Sequence, residues 1–208
     1  FFRVVWFHAP HLPVVAGPKH TAMYAGHPKY AQHYYGCITA LDEQVGRLRT
    51  ELRTLGVAEN TLLFFCSDNG PEGQAGQAPG TAGDLSGRKR SLLEGGIRVP
   101  GIVEWPARVK AARITDIPCV TSDYLPTLLD LVGAKTMADR PIDGMSLVPL
   151  IDGNLAKRGK PIGFESKGQL AWIGDQYKIY SSGKAKNGQP EFKLFDLVAD
   201  PSEKNDLA

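Results

Sequence analysis

The sequence predicts an α/β protein: a mostly parallel sheet with flanking helices, followed by a small antiparallel sheet at the C-terminal end. Three observations predict it. Continuous apolar runs of strand length alternate with stretches of helical periodicity up to about residue 155. The runs end abruptly in turn-forming residues, as strands covered on both faces do. Beyond residue 155 the pattern changes to short strands separated by turn signals. The reading divides the chain into residues 1–155, an α/β layer, and residues 156–208, a small antiparallel subdomain.

The elements follow in order. Phe1 to Phe7 reads as a buried strand running into the Pro-rich loop His8-Ala9-Pro10-His11-Leu12-Pro13. From residue 30 to 55, Tyr30, Tyr34, Cys37, Leu41, Val45, Leu48, Leu52 and Leu55 recur at helical spacing, and Gly56 supplies the stop. Thr61 to Cys66 is an apolar strand that breaks at Ser67-Asp68-Asn69-Gly70-Pro71. Residues 72–88 are polar and Gly-rich, a loop of a length that compact domains reserve for function. Val99 to Trp105 reads as a strand, Ile117 to Val120 as another, and Ser122 or Asp123 caps a short helix that Gly133 ends. The C-terminal strands are PIGFES, QLAWIG, YKIYSS and FKLFDL, with turns at Gly174-Asp175 and Asn187-Gly188.

Composition excludes several classes. In 208 residues, 42% are hydrophobic and 22% charged, which is globular rather than disordered. With 24 basic against 22 acidic residues the net charge is +2, which gives no electrostatic case for nucleic acid. Three scattered cysteines make neither a zinc ribbon nor a disulfide framework. No apolar run reaches the ~20 residues of a membrane helix.

Three polar clusters can carry chemistry. In open parallel sheets ligands bind beyond the carboxyl ends of strands, and two strand ends here are polar: His8 and His11 after the first, Asp68 and Asn69 after the second. Asp and Asn offer hard oxygens, which suit Ca²⁺ or Mg²⁺ better than zinc. The alternative is that Asp68-Asn69-Gly70-Pro71 is a simple turn. Two imidazoles can bind an anion, pass a proton or ligate a metal, and can equally be structural. Arg88-Lys89-Arg90 precedes Glu94-Gly95-Gly96-Ile97-Arg98-Val99-Pro100. Three cations beside a Gly-rich loop suit an anionic group, against the alternative of a solvated basic loop. Together the clusters describe an anion between a hard cation and basic side chains, the arrangement for hydrolysing a phosphate or sulfate ester.

FFRVVWFHAPHLP, CSDNGPEG and GRKRSLLEGGIRVPGIVEWP resemble, in order, three segments of the type I sulfatases, the arylsulfatase family, in the style of N-acetylgalactosamine-6-sulfatases. LDEQVGRL, SDYLPTLLDLVGA with DGMSLVPLIDG, and the ending KLFDLVADPSEKNDLA resemble the family too. The resemblance implies an alkaline-phosphatase-like α/β fold and hydrolysis of sulfate esters, with sulfated carbohydrates as the expected substrates. It implies that Asp68 and Asn69 ligate Ca²⁺ and that Lys89 contacts the sulfate. It implies that His11 contacts the sulfate and protonates the leaving oxygen, and that His8 contacts the substrate. Glu94, Arg98 and Asp42 match family positions expected to be structural.

Sulfatases attack with a formylglycine made in a C/S-x-P-S-R motif, and Cys37, Cys66 and Cys119 all lack that context. The chain is therefore expected to be the C-terminal part of a sulfatase that meets a preceding segment of the same enzyme. By itself it is expected to be inactive and to bind Ca²⁺ weakly. A periplasmic, extracellular or lysosomal location is implied by resemblance alone. Two alternatives stand beside this reading: a phosphate or phosphonate ester hydrolase of the same superfamily, and a non-catalytic domain binding sulfated glycans through Arg88, Lys89 and Arg90.

Overall fold

The computed structural model describes residues 1–74, 76–135, 140–183, 185–186 and 188–208. They form two compact units, one of residues 1–62 and 73–81, the other of residues 63–72 and 82–208. These bounds differ from a division at residue 155. The turn read at Asn187-Gly188 falls on Asn187, outside the described residues.

The first unit is built on two helices, α1 (Pro18–Ala22) and α2 (Lys29–Thr54). The periodic apolar face of α2 is its packing face. Ala31, Gly36 and Cys37 are buried on it, and Tyr34, Leu41, Val45 and Leu52 are half-buried. Cys37 Sγ donates to the Val15 carbonyl (3.3 Å) and Ala16 N–H to His33 Nδ1 (3.1 Å), so the chain before α1 is stitched to α2. Gly56, at φ +69°, ends the helix as its sequence predicts. The expected first strand is different. Phe1 to Phe7 has no regular secondary structure and pairs with no described strand, and Phe1 and Trp6 stand at 110% and 90% exposure. Without a neighbour to accept from its N–H groups and donate to its C=O groups, an apolar run does not become a strand.

The second unit holds the sheets. β1 (Leu63–Cys66) pairs with β2 (Gly101–Glu104), with Cys66 opposite Gly101. The β1–β2 connection carries a single helical turn, α3 (Glu94–Ile97). A 3₁₀ turn at Thr121–Asp123 then leads into α4 (Tyr124–Val132), which Gly133 closes, and α5 (Val148–Ile151) follows. The segment at 117–120, expected as a strand, has no ladder partner. The Asp123 carboxylate accepts the N–H groups of Val120 and Met145 and a two-pronged bond from Arg158 (2.7 Å each). Burial pushes the Asp123 carboxyl up, but the guanidinium and the two N–H groups outweigh it and hold it below the usual carboxylate range.

The expected C-terminal antiparallel sheet is present. β3 (Ile162–Ser166), β4 (Gln169–Ile173), β5 (Tyr177–Ser181) and β8 (Lys193–Asp196) lie in that order, with a two-residue pair, β6 (Ala185–Lys186) and β7 (Gln189–Pro190), extending the β5–β8 connection. Its inner face packs Ala171, Tyr180 and Phe195 against Leu92, with Leu93 and Ile97 alongside. The α/β class stands, and every described strand pair, β1–β2 included, is antiparallel rather than parallel. Among the described residues no helix is long and apolar enough to cross a membrane.

Candidate active site

The turn after β1 is shaped by how closely it meets α3. Gly70 N–H donates to the Gly96 carbonyl (2.9 Å), and a Cβ on Gly70 would stand 1.9 Å from the Gly95 oxygen. Only glycine fits there. Ser67 N–H reaches the Pro100 carbonyl (3.4 Å), anchoring the turn to the start of β2. Asp68 is exposed and Asn69 half-buried. Asn69 Nδ2 donates to the Gly70 carbonyl (2.9 Å), which turns its remaining polar atom, Oδ1, into the available donor for a cation. One carboxylate and one amide oxygen at adjacent positions fit a hard cation, but they are two donors where Ca²⁺ takes 6–8. Among the described residues no three His, Cys, Asp or Glu side chains gather to hold a metal ion.

Lys89 lies against the same turn. Its N–H donates to the Pro71 carbonyl (3.1 Å), two residues beyond Asn69. Its side chain is 21% exposed, with Nζ 3.8 Å from Glu72 Oε2. Glu72 also binds Arg90 Nη1 (2.6 Å), and its carbonyl accepts Arg88 Nη2 (3.0 Å). The Glu72 carboxylate raises the Arg90 guanidinium further above its ordinary value. Lys89 and Arg90 thus share one part-exposed carboxylate, that of Glu72, a residue whose place beside the cluster the sequence reading missed. Its signal was the acidic residue directly after Asn69-Gly70-Pro71.

His8 and His11 are held by one carbonyl. His8 Nε2 (3.1 Å) and His11 Nδ1 (2.9 Å) both donate to the Leu12 oxygen, and the ring centroids stand 5.4 Å apart. His11 N–H closes the turn on the His8 carbonyl (2.8 Å). Because a carbonyl only accepts, these bonds assign the ring protons and leave His11 Nε2 as the atom able to give or take a proton. Both residues are exposed. The structure thus brings Asp68, Asn69 and Lys89 together in the second unit, and His8 with His11 in the first.

A second residue missed by sequence reading is Gln169 on β4. Its Nε2 donates to the Arg90 carbonyl (2.7 Å) and its Oε1 accepts Leu92 N–H (3.1 Å). Nothing in the sequence links positions 77 and 79 residues apart.

The family sequence model for Sulfatase matches residues 1–134. Steryl-sulfatase of Rattus norvegicus is 36% identical over 148 residues, covering 65% of this chain and 25% of that protein. N-acetylgalactosamine-6-sulfatase of Rattus norvegicus is 31% identical over 160 residues, covering 76% of this chain and 30% of that protein. The crystal structure of Ps i-CgsB in complex with k-i-k-neocarrahexaose superposes at a TM-score of 0.81 with 31% identity, over 96% of this chain and 44% of that chain. The chain spans a quarter to under a half of the length of these relatives. The matched residues run from His8 and His11 through Asp68 and Lys89 to the end of α4, and with them the chain belongs to the sulfatase family.

Proposed function

We propose that this chain supplies the sulfate-binding and leaving-group side of a sulfatase that hydrolyses sulfate esters of carbohydrates. The observation that carries the reading is the bond from Lys89 N–H to the Pro71 carbonyl, which ties the ammonium-bearing loop to the Asp68-Asn69 turn. An ammonium beside two hard oxygen donors is suited to a doubly anionic tetrahedral group.

Lys89 holds the sulfate oxygens and stabilises the charge that grows on them as the S–O bond breaks; such fixed charge is commonly the largest catalytic term. Asp68 and Asn69 would hold a Ca²⁺ ion, which would supply positive charge beside Lys89. His11 keeps Nδ1–H on the Leu12 carbonyl and, as the imidazolium, delivers the Nε2 proton to the leaving alcohol oxygen. His8, fixed by the same carbonyl, contacts the substrate. In this reading the attacking oxygen is that of a formylglycine, whose C/S-x-P-S-R motif does not occur in residues 1–208. The names and contents of the relatives support a carbohydrate substrate: an N-acetylgalactosamine-6-sulfatase, and a structure holding a hexaose.

Release of inorganic sulfate tests the reading. The full-length protein, supplied with Ca²⁺, is expected to free sulfate from a chromogenic aryl sulfate and from a sulfated oligosaccharide, and residues 1–208 alone to free none. Cleavage of phosphate or phosphonate monoesters in preference to both sulfates contradicts it.

A further inference from the structure

The loop that carries Lys89 is shaped by residues 77 to 109 positions away in sequence. Most of its backbone N–H groups from Lys89 to Gly96 find acceptors. Lys89 donates to Pro71, Ser91 to Arg88, Gly95 to Ser86 and Gly96 to Leu93. Two others lean on the C-terminal sheet and tail: Leu92 N–H on Gln169 Oε1, and Glu94 N–H on Glu203 Oε2 (2.6 Å). Gln169 uses both ends of its amide on this loop, gripping the Arg90 carbonyl as well. Arg90, next to Lys89, sits at φ +77°. A non-glycine residue there costs on the order of 1 kcal/mol, so the conformation persists only where surrounding bonds impose it.

A buried charge triad holds the far end of the same loop. Lys178 of β5 is fully buried, and its Nζ stands 2.9 Å from Glu94 Oε1 and 2.8 Å from Glu203 Oε1. A lysine on the inward face of a strand is tolerated only when paired. Here both partners also bind the loop: Glu94 begins α3 and Glu203 accepts its N–H.

We infer that Gln169, with the Lys178–Glu94–Glu203 triad fixing the far end of the same loop at Glu94, is a positioning residue that sets where Lys89 presents its ammonium. This rests on Lys89 being the sulfate contact. Charge stabilisation depends on placement to within about 1 Å, and the two bonds of Gln169 begin one residue beyond Lys89.

A double-mutant cycle in the full-length protein tests it, with calorimetric binding of inorganic sulfate as the readout. Gln169→Met keeps the length of the side chain and removes both bonds to the loop, together with the one that Oε1 accepts from the Tyr180 hydroxyl (3.2 Å). It is expected to weaken sulfate about 5–10-fold when Lys89 is present, and less than about 1.5-fold in a Lys89→Met background, because a residue acting through another loses its effect once that other is gone. Equal weakening in both backgrounds, or none in either, overturns the inference. Unchanged sulfate affinity in Lys89→Met alone instead overturns the sulfate role of Lys89, and the inference with it. Should Gln169→Met fail to fold, Gln169→Glu, which keeps the acceptor for Leu92 and loses the donor to Arg90, carries the same outcomes.

Discussion

The two segments that carry the candidate chemistry are held in opposite ways. The His8–His11 loop is exposed and closes on itself: both rings and one N–H end on carbonyls within four residues. The Lys89 loop is held from afar, by Gln169 and Glu203, with fully buried Lys178 between two carboxylates. On the roles proposed for Lys89 and His11, the difference follows the demands of the chemistry. A fixed cation works by being in place before charge develops, which a network of buried bonds secures. An imidazole that moves a proton needs one assigned nitrogen and access, and one local carbonyl provides the first.

The largest expected effect is on Lys178. Lys178→Met leaves Glu94 and Glu203 buried without their cation, and breaking such a pair costs about 3–5 kcal/mol. Urea denaturation of the full-length protein is expected to show a loss of that size; a loss below about 1 kcal/mol would mean that the triad is solvated and the contrast between the two loops false.

A smaller effect concerns pH. Burial pushes the Glu203 carboxyl up, against the pull of Lys178. Its folded value lies above its ordinary 4.5, so the folded protein holds that proton longer than the unfolded one. The associated stability is complete below about 4.5 and drains away as the pH rises through the folded value. Glu203→Gln is expected to remove this part of the decline in a stability profile taken upward from pH 4, and an unchanged profile refutes it.

The smallest effect on stability belongs to the other loop. His11→Ala, an exposed substitution, is expected to move stability by no more than about 0.5 kcal/mol while lowering turnover about 10²–10⁴-fold if the imidazole is the general acid. A large loss of stability with little loss of turnover reverses the assignment.

The sequence shows the parts of this arrangement that depend on neighbours in the chain. The period of α2, the break after Cys66, the stop at Gly133 and the four strands of the C-terminal sheet all follow from local patterns. Asp68, Asn69 and Lys89 stand out by residue type and spacing, and the Lys89 N–H bond to the Pro71 carbonyl puts their two segments side by side. Two things are not legible. Phe1 to Phe7 has strand composition, but a strand is made by its partner. On β5, Lys178 and Tyr180 are buried while Tyr177 and Ile179 are exposed, and nothing in the local sequence marks the lysine as an inward residue. The inward lysine is stable only because Glu94 and Glu203, 84 and 25 positions away, meet it there.

The most direct test is the specificity constant for a chromogenic aryl sulfate in the full-length protein carrying Lys89→Ala. Removing a charge-stabilising contact is expected to lower kcat/KM by about 10²–10³-fold. A fall of less than about threefold would contradict the central claim, that Lys89 on its clamped loop is the cation that receives the sulfate.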